Sequence, residues 1–164
     1  MGDDLKEPLS ILNAHKMRYL VVGAYAVSFH SEPRATKDMD VWIATDPANA
    51  ASTFADLAEF GFQFGGLTVA DFAEPGSYFR MGVPPSMIEI LTNISGVEFE
   101  DAWSRRDEFA VDGDQNFRVH VISRSDLITA KQSAGRPIDL IDIDTLQKYP
   151  PPPPRNPRSR KPNA

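Results

Sequence analysis

Three acidic side chains in this sequence have the types and the spacing to act together. Asp38 and Asp40 are separated by one residue in Asp38–Ala44 (DMDVWIA). The alternation of that stretch predicts a β-strand with Met39, Val41 and Ile43 on one face and Asp38, Asp40 and Trp42 on the other. Met39 then points into the core and fixes the register, because a slip of one residue would bury both carboxylates. Glu89 lies within Met87-Ile88-Glu89-Ile90-Leu91, a carboxylate inside an otherwise apolar strand. If that strand lies beside the first, all three carboxylates converge. Two carboxylates ~5 Å apart repel by roughly 3 kcal/mol at an effective dielectric of about 20, so protons or a divalent cation must relieve them. Oxygen-only ligands favour Mg²⁺ or Mn²⁺ over zinc, and magnesium commonly completes its shell with waters and substrate phosphates, which points to a nucleoside triphosphate. Taken singly, Asp38 reads as a turn residue and Glu89 as an edge-strand charge; their combination with what precedes them argues for more.

Upstream, Leu20-Val21-Val22-Gly23-Ala24-Tyr25-Ala26-Val27 reads as a strand that ends in Gly and small residues and passes directly into a helix. Small residues let a phosphate approach the backbone, and the free N–H groups at a helix start favour an anion there. Such a unit is common in α/β proteins and means little alone. Between it and the acidic pair lie Arg34, Thr36 and Lys37. They bring positive charge and a hydroxyl beside the carboxylates, or form a solvated loop.

The elements that must position these residues alternate between helix and strand. The patterning predicts a helix over 4–16, a strand over 18–23 and a helix over 24–31. The strand at 38–44 follows, then a helix from the Asp46-Pro47 cap to about Phe60, closed by Gly61, Gly65 and Gly66. Strands at 77–83 and 86–92 flank a Pro84-Pro85 turn. A helix at 98–106 and a strand at 117–123 lead to a helix at 125–134 capped by Ser125. Gly135 ends it, and Pro137 opens a last helix from about 138 to 148. The fold class is α/β (α+β), a mixed sheet flanked by helices.

The order strand-Gly-small-helix, then Arg34-Ala-Thr-Lys-Asp-Met-Asp40, then Ile88-Glu-Ile90 resembles the minimal nucleotidyltransferases of the DNA polymerase β-like superfamily. It is most similar to small bacterial proteins grouped with abortive-infection nucleotidyltransferase toxins. The segment from Asp126 to Asp142, with Lys131, Arg136 and Asp139, also matches that group, so the resemblance covers about Arg18 to Leu146. It implies a nucleotidyltransferase-like fold and a magnesium-dependent transfer of a nucleoside monophosphate from an NTP to an acceptor hydroxyl. Asp38 and Asp40 would hold two Mg²⁺ (or Mn²⁺) ions. Glu89 would hold the one that activates the acceptor and take its proton. Gly23 and Ala24 would cradle the triphosphate, with Arg34, Thr36 and Lys37 nearby. Lys131 would touch substrate phosphate, and Asp139 would orient it or a neighbouring base. One position departs: the family usually carries Gly or Ser where this chain has Ala24. A methyl group there would crowd the phosphate if the backbone needs positive φ, and it lacks the hydroxyl of Ser. The competing reading is therefore a catalytically degenerate nucleotide-binding or protein-interaction module of the same fold.

Composition sets the outer bounds. The 164 residues, 41% hydrophobic and 24% charged, suit one globular domain, expected over 1–149. The absence of cysteine excludes a disulfide scaffold, a thiolate zinc site and a cysteine nucleophile. The net charge is −6, but Arg155, Arg158, Arg160 and Lys161 follow a run of five prolines with no acid among them, so the body carries −10. Residues 150–164 are expected to form a Pro-rich, basic, disordered tail. An acidic body disfavours a broad nucleic-acid surface, whereas the tail and the toxin-like resemblance favour RNA or tRNA as acceptor. A protein or small molecule remains open, as does an antitoxin partner. No apolar run is long enough for a membrane span, and the acidic, polar N-terminus lacks signal-peptide features, so the cytoplasm is the expected location. The histidines show no metal-ligand spacing; His30 reads as a helix-end residue with a structural bond or a pocket wall. Trp42, Phe60 and Trp103 read as core or lid residues.

Overall fold

The computed structural model describes residues 6–14, 16–32, 38–82, 87–111 and 113–149. The expectations for Arg34, Thr36, Lys37, the Pro84-Pro85 turn and the tail from 150 onward lie outside the described residues. In chain order the elements are α1 (Lys6–Ala14), β1 (Tyr19–Val22), α2 (Gly23–His30), β2 (Asp38–Ile43) and α3 (Pro47–Phe60). After a 3-10 turn (Val69–Ala73) come β3 (Tyr78–Met81), β4 (Met87–Leu91), α4 (Phe99–Ser104), β5 (Asp107–Val111), β6 (Asp114–Val121), α5 (Arg124–Ala134) and α6 (Pro137–Lys148). The class is the one the sequence predicts, mixed α/β.

Among the described residues six strands form one sheet in the order β3-β4-β2-β1-β6-β5. β1 runs antiparallel to β2 and parallel to β6, β2 runs parallel to β4, and the edge strands β3 and β5 are antiparallel to their neighbours. The alternation along β2 holds: Met39, Val41 and Ile43 are fully buried, while Asp38 and Asp40 are half-buried on the other face. Trp42 shares the acidic face but is shut in by Phe99 of α4, edge to face at 5.0 Å. Beneath the opposite face, Phe79 of β3 packs on Phe72 of the 3-10 turn, which meets Phe54 of α3. Helix starts follow local chemistry. Asp46 accepts from the Asn49 N–H and Pro47 takes the first helical position of α3, while Gly61 closes that helix with φ +89°.

Three local expectations need correction. β5 has no counterpart among the predicted strands, because its first residues Asp107 and Glu108 are exposed and only Val111 is buried, so the segment carries no alternating apolar signal. β6 begins at Asp114 rather than Phe117, since its leading residues face solvent. The cap of α5 is Ser123, whose hydroxyl accepts from the Asp126 N–H. Ser125 sits inside the first turn instead.

Candidate active site

The register of the sheet sets one file of residues side by side on one face: Arg80 on β3, Glu89 on β4, Asp40 on β2 and Val22 on β1. The two carboxylates meet because parallel strands β2 and β4 pair Asp40 with Glu89 directly. Asp38 lies two residues earlier on the same face, opposite Met87. Next in the file comes Gly23, at φ +66°; a Cβ there would stand 2.2 Å from Asp40 Oδ2. The glycine thus provides both a left-handed turn out of β1 and the space in which the Asp40 carboxylate lies against the backbone. α2 starts at Gly23 with no side-chain cap and no acidic residue in its first turn. Its leading N–H groups therefore sit uncapped beside the acidic file. Ala24 follows within the helix. Among the described residues the only non-glycine with positive φ is Lys16, so the Ala24 methyl meets no backbone strain; the missing hydroxyl is the difference that remains.

Electrostatics couple the two carboxylates. Burial, hydrogen bonding to Glu89 and the charges of Glu89 and Asp38 push Asp40 up to about 7, against a small lowering by Lys131. Burial raises Glu89 too, but donation from Asp40, Tyr78 and Arg80 outweighs it and holds that group below the usual range. Of the two carboxyls, Asp40 is the one whose surroundings favour the protonated form. The Tyr78 hydroxyl donates to Glu89 Oε1 at 2.6 Å and Arg80 Nη2 to the same oxygen at 2.8 Å. Among the described residues no three acidic or histidine side chains form a group ready to hold a metal ion. The donor set itself fits magnesium or manganese, being hard oxygens on one face with a shared proton to displace.

A wall of α5 and α6 faces the file. Lys131 is buried, with Nζ 2.9 Å from Asp142 Oδ2 and 3.4 Å from Asp139 Oδ1. Arg136 grips Asp139 through its backbone N–H (3.1 Å), Nε (2.8 Å) and Nη2 (3.1 Å). Those bonds hold the Asp139 carboxyl below its usual range. A cavity of about 220 Å³ lies between wall and sheet. Gly23, Asp40, Lys131, Arg136 and Asp139 supply its polar lining, and Leu91, Ile94, Leu127 and Ala134 much of its apolar lining. Gly96 keeps the loop after β4 against α5, since a Cβ there would lie 2.7 Å from Ser133 Cβ.

The structure therefore brings Gly23, Asp38, Asp40, Glu89, Lys131 and Asp139 to one region. Ala24 follows in the first turn of α2. His30 is structural, its Nε2 2.7 Å from the Ile122 carbonyl oxygen. Sequence reasoning missed Tyr78 and Arg80 as partners of Glu89. The signal was present: an antiparallel hairpin centred between Pro84 and Pro85 sets each residue opposite its mirror image, which puts Arg80 against Glu89.

Residues 4–147 match a protein family described as "nucleotidyltransferase of unknown function" (DUF6036). The chain belongs to this family. No curated protein matches it. The nucleotidyltransferase match spans every element of the sheet and both walls of the cavity. Among the described residues no helix is long and apolar enough to cross a membrane.

Proposed function

We propose that this member of the nucleotidyltransferase family transfers a nucleoside monophosphate from an NTP to an acceptor hydroxyl and releases pyrophosphate. The observation that carries the reading is the direct pairing of Asp40 with Glu89 beside Gly23 and the uncapped start of α2. Each residue then has a role. The leading N–H groups of α2 bind triphosphate oxygens. Arg136, 69% exposed at its side chain, adds positive charge at the mouth of the cavity. Lys131 does so from below, within its bonds to Asp139 and Asp142. Leu91, Ile94, Leu127 and Ala134 give the base or sugar an apolar seat that excludes water. Asp38, Asp40 and Glu89 would hold Mg²⁺ or Mn²⁺. When bound, such ions supply charge neutralisation at the reacting phosphate and at the departing pyrophosphate. Glu89 takes the proton of the acceptor hydroxyl.

On this reading the site takes DNA polymerase β-like roles, and the sequence resemblance to abortive-infection toxins makes a toxin–antitoxin setting in the cytoplasm part of the proposal. The acceptor would be RNA or tRNA, a protein or a small molecule. The test follows the label. With α-labelled NTP, Mg²⁺ and a cell extract, the label should appear in one acceptor fraction with stoichiometric pyrophosphate. Release of inorganic phosphate without label transfer would instead indicate a phosphohydrolase using the same carboxylates. A second reading, a binding module without turnover, is favoured by the hold of Tyr78 and Arg80 on Glu89 and by the missing hydroxyl at Ala24. Tight NTP binding with no label transferred would select it.

A further inference from the structure

Tyr78 belongs to the same face of the sheet as Asp40 and Glu89. It stands opposite Leu91 on β4 as Arg80 stands opposite Glu89, and residues two apart on a strand share a face. Its hydroxyl donates to Glu89 Oε1 at 2.6 Å and accepts from Arg80 Nη2 at 3.2 Å. The residue is nonetheless 50% exposed, so a ligand can reach it. Tyr19, by contrast, is fully buried with its hydroxyl on Asn13. A phenol held between a carboxylate that can take its proton and a guanidinium that steadies the phenolate is placed as a nucleophile. The order across the face is also the one that transfer requires. Glu89 lies between Tyr78 and Asp40, and Gly23 with the uncapped start of α2 lies beyond Asp40. The tyrosine oxygen and the helix start thus stand on opposite sides of the carboxylates, as an entering oxygen and a departing pyrophosphate must stand about the phosphorus.

We propose that Tyr78 is itself an acceptor, and that the protein attaches a nucleoside monophosphate to its own tyrosine hydroxyl. The inference rests on the transferase reading above and names a substrate for it. A bond forms from Tyr78 Oη to the α-phosphorus. The bond from that phosphorus to the bridging oxygen breaks, and its electron pair leaves with pyrophosphate. The phenolic proton passes to Glu89 Oε1 and then to solvent. The product is an O-nucleotidyl tyrosine, an anionic phosphodiester, and Arg80 beside the oxygen is placed to pair with it. Modified Tyr78 has no proton left to donate to Glu89 and covers the acceptor side of the site, so each chain modifies itself once.

The experiment uses the full chain in two states. With Mg²⁺ and each α-labelled NTP in turn, and no extract, label should enter the protein and stop at one nucleotide per chain. The intact mass should rise by one nucleoside monophosphate less water, and fragment spectra should place the addition on Tyr78. Tyr78→Phe should lose the label while still melting as a folded protein. The rate per chain should stay constant across a dilution series, as transfer within one chain requires. In the second state, without NTP or metal, the Cζ resonance of Tyr78 should move in Glu89→Gln, reporting the bond that positions the oxygen. Label mapped to another residue, an equal yield from Tyr78→Phe, a rate per chain that rises with concentration, or a Tyr78 resonance indifferent to Glu89→Gln overturns the proposal. Site mapping on the wild-type chain decides the matter if Tyr78→Phe unfolds. An unlabelled chain together with label in an extract fraction overturns self-modification and leaves the transferase reading in place. No label in either removes both.

Discussion

Asp40 and Glu89 show how one residue's environment sets its chemistry. Both are strand carboxylates, yet Asp40 is pushed up and Glu89 held down, because Tyr78 and Arg80 reach only the latter. The sign of the pH dependence follows. Folded Asp40 keeps its proton up to about 7, whereas the unfolded residue loses it near 3.8. Between those values the folded chain binds more protons, so this residue's contribution to stability falls as pH rises through the window and levels off above it. Asp40→Asn removes that loss. By urea unfolding without metal, the variant should match wild type near pH 4 and exceed it by ~1–3 kcal/mol at pH 8. Glu89 contributes in the opposite sense: its stabilisation is present above the unfolded value of 4.5 and lost as pH falls. Gly23→Ala should fail on two counts, the positive φ and the 2.2 Å approach to Asp40 Oδ2. A loss of at least ~1–2 kcal/mol is expected from the first alone, with Asp40 displaced as well. Thermal unfolding with a paired NTP-binding measurement checks both effects.

At the scale of elements, α5 and α6 form a clasp whose pin is Lys131, buried between Asp139 and Asp142. Arg124 extends the clasp by donating to the carbonyl oxygens of Leu146 and Tyr149 at the end of α6. Lys131→Met takes the buried ammonium from Asp142 and leaves Asp139 to Arg136, so a destabilisation of ~3–5 kcal/mol is expected, or roughly 10 °C in Tm for a domain of this size. A lysine serving phosphate alone would change NTP affinity and leave Tm in place. How much of this was legible in the sequence depends on where each residue's partners lie. β2 and α3 could be read almost to the residue, because alternation and the Asp46-Pro47 cap are local signals. The position of Glu89 against Asp40 needed strand pairing, which the resemblance supplied and local patterning did not. β5 was missed because an edge strand with one buried side chain has no pattern to show. The bonds of Lys131 were hidden for another reason: they join residues eight and eleven positions away, across a break between two helices.

For the whole molecule, the sheet order acts as the axis of the proposed reaction. Crossing from β1 to β3, the face presents a helix start suited to phosphate, then Asp40, then Glu89, then Arg80. The cavity of about 220 Å³ adjoins the β1 end of that file. Mg²⁺ with NTP should therefore raise the Tm of the whole domain, since ligand at a hundred times its Kd adds about 2.7 kcal/mol. Arg136→Ala should reduce that rise and change the ligand-free Tm less than Lys131→Met does, Arg136 being largely exposed. The most direct test of the account compares wild type with Asp40→Asn for transfer of α-labelled NTP in Mg²⁺, with folding confirmed by thermal melting. The account predicts labelled acceptor and pyrophosphate from wild type alone, and a folded variant of equal or higher metal-free stability with no transfer. A folded Asp40→Asn protein that labels acceptor at the wild-type rate would contradict it.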